Sequence, residues 1–195
     1  MTPTLLIIGL RNSGEEYAHT RHNAGESWVR WLARHEGASA WENEKNGEEA
    51  KGTVTIGSAR YKAHFFLPDC FMNESGKPVK AIVERLKSVP NYIIVAHDDL
   101  DIPFGGGKVS FEKNSGGHKG VESVMRALKT KKFWRIRVGT ATRAVAKAHT
   151  QSPRAKDEAI KTFVLKKFSP AERTKLTHVH ASIFKKLAST PLAVR

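Results

Sequence analysis

The sequence is poor in cysteine and contains no long apolar run. Cys70 is the only cysteine among 195 residues, so no internal disulfide can form. The longest apolar stretch, residues 5–10, is interrupted by a glycine and falls far short of the roughly 20 residues that a membrane-spanning helix needs. The N-terminus lacks a basic leader with a small-residue cleavage site, so we expect a first strand there. These absences predict a protein of the reducing cytoplasm that does not cross a membrane.

Acidic residues are scarce relative to basic ones. The chain has 33 lysines and arginines against 19 aspartates and glutamates, a formal net charge of +14. A surplus of this size favours a polyanionic partner, with RNA, DNA and an anionic membrane surface as the alternatives. A soluble protein that is merely basic would have the same composition. Charge therefore indicates a class of partner and says nothing about chemistry.

The hydrophobic pattern alternates between the periods of strands and helices. It predicts strands at residues 4–10, 52–57, 60–67, 92–97, 108–111 and 133–141, and helices at 23–36, 75–87, 121–128 and from 170 onward. The run at 4–10 is apolar throughout, which is typical of a strand buried on both faces of a parallel sheet. We therefore expect one α/β domain over residues 1–195, with a twisted, mostly parallel mixed β-sheet flanked by helices.

Helix ends and one loop carry further signals. Ser75 is the expected N-cap of the second helix, and Ser169 with Glu172 forms a capping-box pattern around Pro170. Residues 142–157 hold scattered basic side chains among small residues without periodicity. This segment is predicted to be a mobile basic loop.

Polar side chains follow two of the predicted buried strands. Asn12 and His22 come after the strand at 4–10, and Asp98 comes directly after the strand at 92–97. Ligands of open α/β sheets bind beyond the carboxyl ends of the strands, where these side chains can meet. A histidine paired with a carboxylate is a common general base near neutral pH. The alternatives are a histidine that bonds backbone at a helix start and an aspartate that shapes a turn.

Several other chemistries lack support. No serine lies in a nucleophile elbow, and Cys70 is better explained as a small buried hydrophobe. His178 and His180 are spaced so that a helix would splay their rings apart, so we predict no metal and no cofactor. The glycine-rich stretch at 115–120 matches no phosphate loop, but with Lys119 at a helix start it is a plausible contact for an RNA phosphate.

Six stretches of the chain, taken together and in order between residues 6 and 168, resemble a known family. They are IIGLRNSGEEYAHTRHNAGE, FMNESGKPV, IIVAHDDLDIPFGGGKVSF, NSGGHKGVESV, RIRVGTA and FVLKKF. These resemble the signatures of the bacterial-type peptidyl-tRNA hydrolases. The resemblance implies a cytoplasmic, monomeric, cofactor-free esterase that cleaves the bond between a peptide and the 3′ ribose of tRNA and so recycles tRNA from aborted translation.

The resemblance also implies roles for individual residues. His22 would be the general base that activates water, and Asp98 would orient it. Asn12 would help to discriminate peptidyl from free aminoacyl esters and could stabilise the developing oxyanion. Side chains that would line the site for the peptide and the tRNA 3′ end are Tyr17, Phe71 and Asn73. Taken alone, Asn73 could equally be a helix cap and Phe71 a core aromatic.

The chain departs from the family pattern at three positions. The usual G-N-P-G loop carries Arg11 and Ser13 here, which predicts a less rigid support for Asn12. Lys119 stands where the family has asparagine, a change that loses an acceptor and adds a cation.

Two arginines add to the basic surface. Arg135 and Arg137 share one face of a predicted strand and are expected to contact acceptor-stem phosphates, with solvated strand arginines as the alternative. Two other functions were weighed, a non-catalytic RNA-binding protein on the same fold and a nucleotide-dependent α/β enzyme. The intact pair of His22 and Asp98 argues against the first, and the missing phosphate loop argues against the second.

Overall fold

A seven-stranded sheet runs through the centre of the protein. In the computed structural model, which describes residues 4–143 and 153–192, the strands are β1 (Thr4–Gly9), β2 (Glu42–Glu44), β3 (Gly47–Ile56), β4 (Ala59–Pro68), β5 (Ile93–Pro103), β6 (Gly107–Phe111) and β7 (Trp134–Ala141). Their order across the sheet is β2-β3-β4-β1-β5-β7-β6. The central strands β4, β1, β5 and β7 are parallel, and the outer strands are antiparallel to their neighbours. The predicted mixed sheet with a parallel centre is confirmed.

Helices cover both faces of this sheet. They are α1 (Ala24–His35), α2 (Gly76–Leu86), α3 (Lys119–Leu128), α4 (Pro153–Val164) and α5 (Pro170–Ala188). Helices α1 and α5 bury apolar side chains against one face, among them Trp28 and Ile183. Helices α2 and α3 do the same on the other face, with Val79 and Val124. The described residues thus build the expected α/β domain, with one apolar layer on each face of a single sheet.

Capping chemistry decides where two of the helices start. The predicted capping box of α5 is present, because the Ser169 side chain accepts from the Glu172 backbone and the Glu172 side chain accepts from the Ser169 backbone. Ser75 occupies the N-cap position of α2, but its hydroxyl donates to the Met72 carbonyl instead of capping. The N–H of Gly76 donates to the Ser123 hydroxyl of α3, so a neighbouring helix supplies the cap.

Two further expectations need correction. The strand predicted at 92–97 continues to Pro103, because Asp98 and Asp99 still pair with β7 before the register shifts. The segment predicted as a loop at 142–157 is helical from Pro153, where α4 begins. The remainder of that segment, residues 144–152, lies outside the described residues.

The described helices were also compared with the requirements of a lipid bilayer. Within residues 4–143 and 153–192, none combines the length and the hydropathy that a membrane span requires.

Candidate active site

His22 and Asp98 meet at one edge of the sheet. His22 belongs to a short 3-10 turn, Arg21–Asn23, that lies between the loop after β1 and the start of α1. Asp98 lies within β5, the parallel neighbour of β1. Parallel strands end at the same edge, which is why a loop after one strand reaches a side chain on the next. The pairing expected from the sequence is therefore present.

Two histidines bind the same oxygen of Asp98. His22 Nδ1 lies 2.7 Å from Asp98 Oδ1, and His118 Nε2 lies 2.8 Å from that atom. The Asp98 residue is 3% exposed, so its charge depends on these two partners for compensation. The three side chains form a compact polar cluster, and His118 is the member that sequence reasoning missed.

Hydrogen bonding assigns the protons of both rings. The N–H of Val121 donates to His118 Nδ1 at 3.2 Å, so His118 Nε2 carries the hydrogen that Asp98 accepts. An ionised Asp98 accepts only, so His22 Nδ1 also carries a hydrogen. The lone pair of the neutral His22 ring then lies on Nε2, for which the described residues provide no hydrogen-bond partner. This tautomer is the one that a general base requires.

The electrostatics of the cluster favour charge separation. Burial by itself raises the pKa of the Asp98 carboxyl, but the charges and hydrogen bonds of His22 and His118 outweigh it and hold that pKa far below its ordinary value. Burial lowers the pKa of His22 and the positive charge of Lys119 lowers it too, whereas Asp98 raises it. The net result is a raised pKa for His22. Asp98 is thus a carboxylate that stabilises an imidazolium at His22.

A third histidine lies behind the cluster and stays neutral. The ring of His97 lies 4.7 Å from that of His118, centroid to centroid, and its Nδ1 donates to the Asp98 carbonyl at 2.6 Å. Burial, together with the charges of His118 and Arg135, holds the pKa of His97 well below its ordinary value. His97 therefore supports the backbone of Asp98 and adds no charge.

The same cluster has the residue types of a metal site. The ligating atoms of His22, Asp98 and His118 all lie within 4.8 Å of one another. In the observed arrangement the ring nitrogens that face Asp98 carry hydrogens and donate to it, so they are hydrogen-bonded and not free to coordinate a cation. The geometry fits an Asp–His pair better than a metal centre.

A cavity of about 480 Å³ opens in front of His22. Its walls combine polar groups from the cluster with apolar side chains from β5 and α4, including Leu100 and Ile160. Lys119, the first residue of α3, also lines it. Such a mixed cavity has room for an ester substrate beside His22.

Asn12 is held from three sides in the loop after β1, and it lines a cavity of about 390 Å³ that does not include His22. Its backbone N–H donates to Asn23 Oδ1 and its carbonyl accepts from Asn23 Nδ2, each at 2.9 Å. Its side-chain Oδ1 accepts from the Met72 N–H at 2.8 Å. The amide group Nδ2 therefore remains as the donor of this side chain. Side-chain contacts hold this loop where the family pattern has a proline, and its lower rigidity stays a prediction.

The three other residues expected to line the site are Tyr17, Phe71 and Asn73, and they lie outside the cavity of His22. Phe71 is 54% exposed, and its ring makes an edge contact with Tyr17 at 6.2 Å between centroids. Asn73 is exposed in the short turn Met72–Glu74. None of the three lines the cavity that contains His22. Phe71 instead lines a neighbouring cavity of about 660 Å³.

The two strand arginines differ in burial. Arg135 is 1% exposed and donates to the Asn114 carbonyl at 2.7 Å. Burial and the charge of Arg137 lower its pKa to about 10. This burial corrects the expected phosphate contact of Arg135, since its guanidinium is not accessible from outside. Arg137 pairs with Asp99 at 2.6 Å, and its phosphate contact stays a prediction.

Comparison with known proteins places this site in a family. The model of a family described as peptidyl-tRNA hydrolase matches residues 6–192. The peptidyl-tRNA hydrolase of Mycobacterium tuberculosis (strain H37Rv) is 38% identical over 176 residues, which cover 90% of this chain and 85% of that protein. The corresponding protein of Mycobacterium ulcerans is 39% identical over 173 residues, covering 89% and 83% of the two chains.

A solved structure agrees with the sequence comparisons. The crystal structure of peptidyl-tRNA hydrolase from Acinetobacter baumannii superposes with a TM-score of 0.76 at 29% identity, covering 96% of this chain and 90% of that one. Sequence and fold are thus similar along nearly the whole chain. The chain belongs to the peptidyl-tRNA hydrolase family, whose members are carboxylic ester hydrolases that act on peptidyl-tRNA.

Proposed function

We propose that His22 is the general base of peptidyl-tRNA hydrolysis in this protein and that Asp98 orients it. The observation that carries the proposal is the 2.7 Å contact from His22 Nδ1 to Asp98 Oδ1, which leaves the lone pair of the neutral ring on Nε2 of a residue that lines the cavity. Nε2 takes a proton from water as the water oxygen attacks the ester carbonyl carbon. Asp98 stabilises the imidazolium that forms.

Asn12 supplies the donor for the developing oxyanion. Its Nδ2 group is free of the contacts that hold its backbone and its Oδ1. When the tetrahedral intermediate collapses, the bond to the tRNA ribose oxygen breaks and His22 returns its proton to that oxygen. The products are the peptide carboxylate and tRNA with a free 3′ end. Hydrogen-bond donors aimed at an oxyanion contribute about 2.7–4 kcal/mol to such steps.

The surface around the cavity contacts the nucleic acid. Lys119 lies at the cavity edge, where its cation can meet a phosphate of the acceptor stem or 3′ end. Tyr17, Phe71 and Asn73 flank the terminal nucleotide and the peptide. Phe71 does so from the wall of the cavity of about 660 Å³, with Tyr17 at the edge of its ring. The net charge of +14 favours this partner. The protein acts as a monomer in the cytoplasm.

Single-turnover hydrolysis of an N-blocked aminoacyl-tRNA tests the assignment. His22→Asn should lower the rate by about 10²- to 10⁴-fold, the usual contribution of a general base, and leave tRNA affinity unchanged within about twofold. His35→Asn is the matched control, because His35 is a histidine of α1 outside the cavity. Turnover by His22→Asn at the control's rate would refute the mechanism.

A further inference from the structure

Arg11 is a buried cation directly before Asn12. It is 7% exposed, and its guanidinium makes three contacts to three different elements. Nε donates to the Pro68 carbonyl at 3.0 Å, and Nη1 donates to Glu26 at 3.0 Å and to Glu48 at 2.7 Å. The side chain therefore ties the loop after β1 to β4, to α1 and to β3 at once.

One of these contacts continues to the backbone of Asn12. Glu26 uses its other oxygen, Oε2, to accept from Asn23 Nδ2 at 3.1 Å. Asn23 in turn brackets Asn12, accepting from its N–H and donating to its carbonyl. A chain of hydrogen bonds thus runs from the Arg11 side chain through Glu26 and Asn23 to the backbone of Asn12, the next residue in the same loop.

A second arginine balances the charges of this network. Arg30 donates to Glu26 Oε1 at 2.9 Å and to both oxygens of Glu48 at 2.8 and 2.9 Å. Two carboxylates are thereby shared between two guanidinium groups, which offsets the desolvation of Arg11. Within the described part of the chain Arg30 makes no hydrogen bond or ion pair with the loop of Asn12, although it has the same acidic partners. The two arginines therefore form a natural pair for comparison.

We propose that Arg11 is a positioning residue that fixes Asn12 for oxyanion stabilisation through Glu26 and Asn23. The inference rests on the proposed role of Asn12. A loop with serine in place of proline has more backbone freedom, and the guanidinium contacts remove that freedom in the folded state. A donor displaced by about 1 Å can cost up to about 10²-fold in rate, so the effect should lie in kcat.

A double-mutant cycle on N-blocked aminoacyl-tRNA tests the proposal. Arg11→Met keeps the length of the side chain and removes its donors. It should lower kcat by about 10- to 100-fold with KM changed by less than about threefold. In the Asn12→Ala background the same change should cost less than about twofold, because a residue that acts through Asn12 has nothing left to position.

Arg30→Met is the matched control. It breaks ion pairs to the same two carboxylates, including Glu26, but keeps the Arg11 contacts, so it should lower the urea midpoint and reduce kcat by a smaller factor than Arg11→Met does. Equal losses of kcat in Arg11→Met and Arg30→Met would overturn the assignment to Arg11. If Arg11→Met does not fold, Arg11→Lys replaces it, since one ammonium cannot hold the carbonyl and both carboxylates together.

The cycle separates two ways of failing. If Asn12→Ala keeps the wild-type kcat, the proposed catalytic role of Asn12 is wrong. If Asn12→Ala lowers kcat and Arg11→Met then lowers the remaining rate by its full wild-type factor, Arg11 acts independently and the positioning role is wrong. Only a loss by each single variant with little additional loss in the double variant agrees with the proposal.

Discussion

At the scale of single residues, one hydrogen bond from the backbone gives the two histidines that bind Asp98 different roles. The N–H of Val121 occupies Nδ1 of His118, whereas Nε2 of His22 has no hydrogen-bond partner among the described residues. His118 therefore donates to Asp98 and caps α3, and it has no lone pair left for substrate. Of these two cavity-lining histidines, only His22 combines a hydrogen bond to Asp98 with an unprotonated nitrogen that no described residue occupies.

This difference leads to a prediction for His118. Asparagine is a good N-cap and can still accept from the Val121 N–H, but it is shorter than histidine and does not reach Asp98. His118→Asn should keep the cap of α3 but lower the unfolding free energy by about 1–3 kcal/mol and kcat by about tenfold, because the buried Asp98 loses one of two donors. Urea unfolding and single-turnover kinetics measure the two effects.

His118→Ala provides the control for that variant. It removes both the cap and the donor, so it should lose about 1 kcal/mol more unfolding free energy than His118→Asn does, with the same loss in kcat. A wild-type kcat in His118→Asn would show that His22 alone is sufficient to hold Asp98.

The sequence predicted some residues of the site and missed others for a physical reason. His22 and Asp98 follow or end buried strands, and such positions can be read from the apolar pattern alone. His118 and Glu26 act through contacts with residues 20 and 15 positions away. Those contacts depend on how α1 and α3 pack on the sheet, and no local pattern records that packing.

At the scale of elements, the approach of α1 to β5 sets the distance between His22 and Asp98. Gly25, in the first turn of α1, lies so close to β5 that an added Cβ would be 2.2 Å from the Ala96 carbonyl oxygen and 3.0 Å from the His97 Cα. Both neighbours are backbone atoms, which cannot rotate away. A glycine here is what allows the helix to start beside the catalytic strand.

Gly25→Ala should therefore push the start of α1 away from β5. We expect a loss of about 1–3 kcal/mol in unfolding free energy, as for other overpacked cores, together with a loss in kcat from a longer His22–Asp98 contact. Ser27→Ala, in the same turn of α1, should change both quantities little. Urea unfolding and hydrolysis rates of both variants provide the comparison, and a fully stable Gly25→Ala would contradict the packing argument.

Element boundaries show where sequence patterns stop being informative. The central strands and the capping box of α5 were predictable, because apolar runs and caps are local features. The extension of β5 through Asp98 and Asp99 was not, because pairing with β7 overrides the turn preference of aspartate. The helix from Pro153 was hidden by its polar composition, with few apolar residues to mark a buried face.

At the scale of the whole molecule, the charge of +14 predicts strongly salt-dependent binding of tRNA. If Lys119 contacts one phosphate, Lys119→Asn should reduce the slope of log K against log salt concentration by about 0.7–0.9. Hydrolysis of a small N-blocked ester should keep its plateau rate at high pH, since such a substrate carries no phosphate, although the loss of the Lys119 charge raises the pKa of His22. An unchanged slope would show that Lys119 is an ordinary solvated lysine.

The proposed general-base mechanism depends most on the titration of His22, and that titration can be measured directly. The imidazole of His22 is followed by NMR, and kcat/KM for a small N-blocked ester is measured over the same pH range. Because the base must be unprotonated, the rate should rise through the pKa of His22, which Asp98 holds above the ordinary 6.5. In Asp98→Asn only burial and Lys119 act, so both curves should move together to lower pH, with a reduced plateau. A rate that rises through a pKa different from that of His22, or that does not move when the His22 titration moves, would contradict the account.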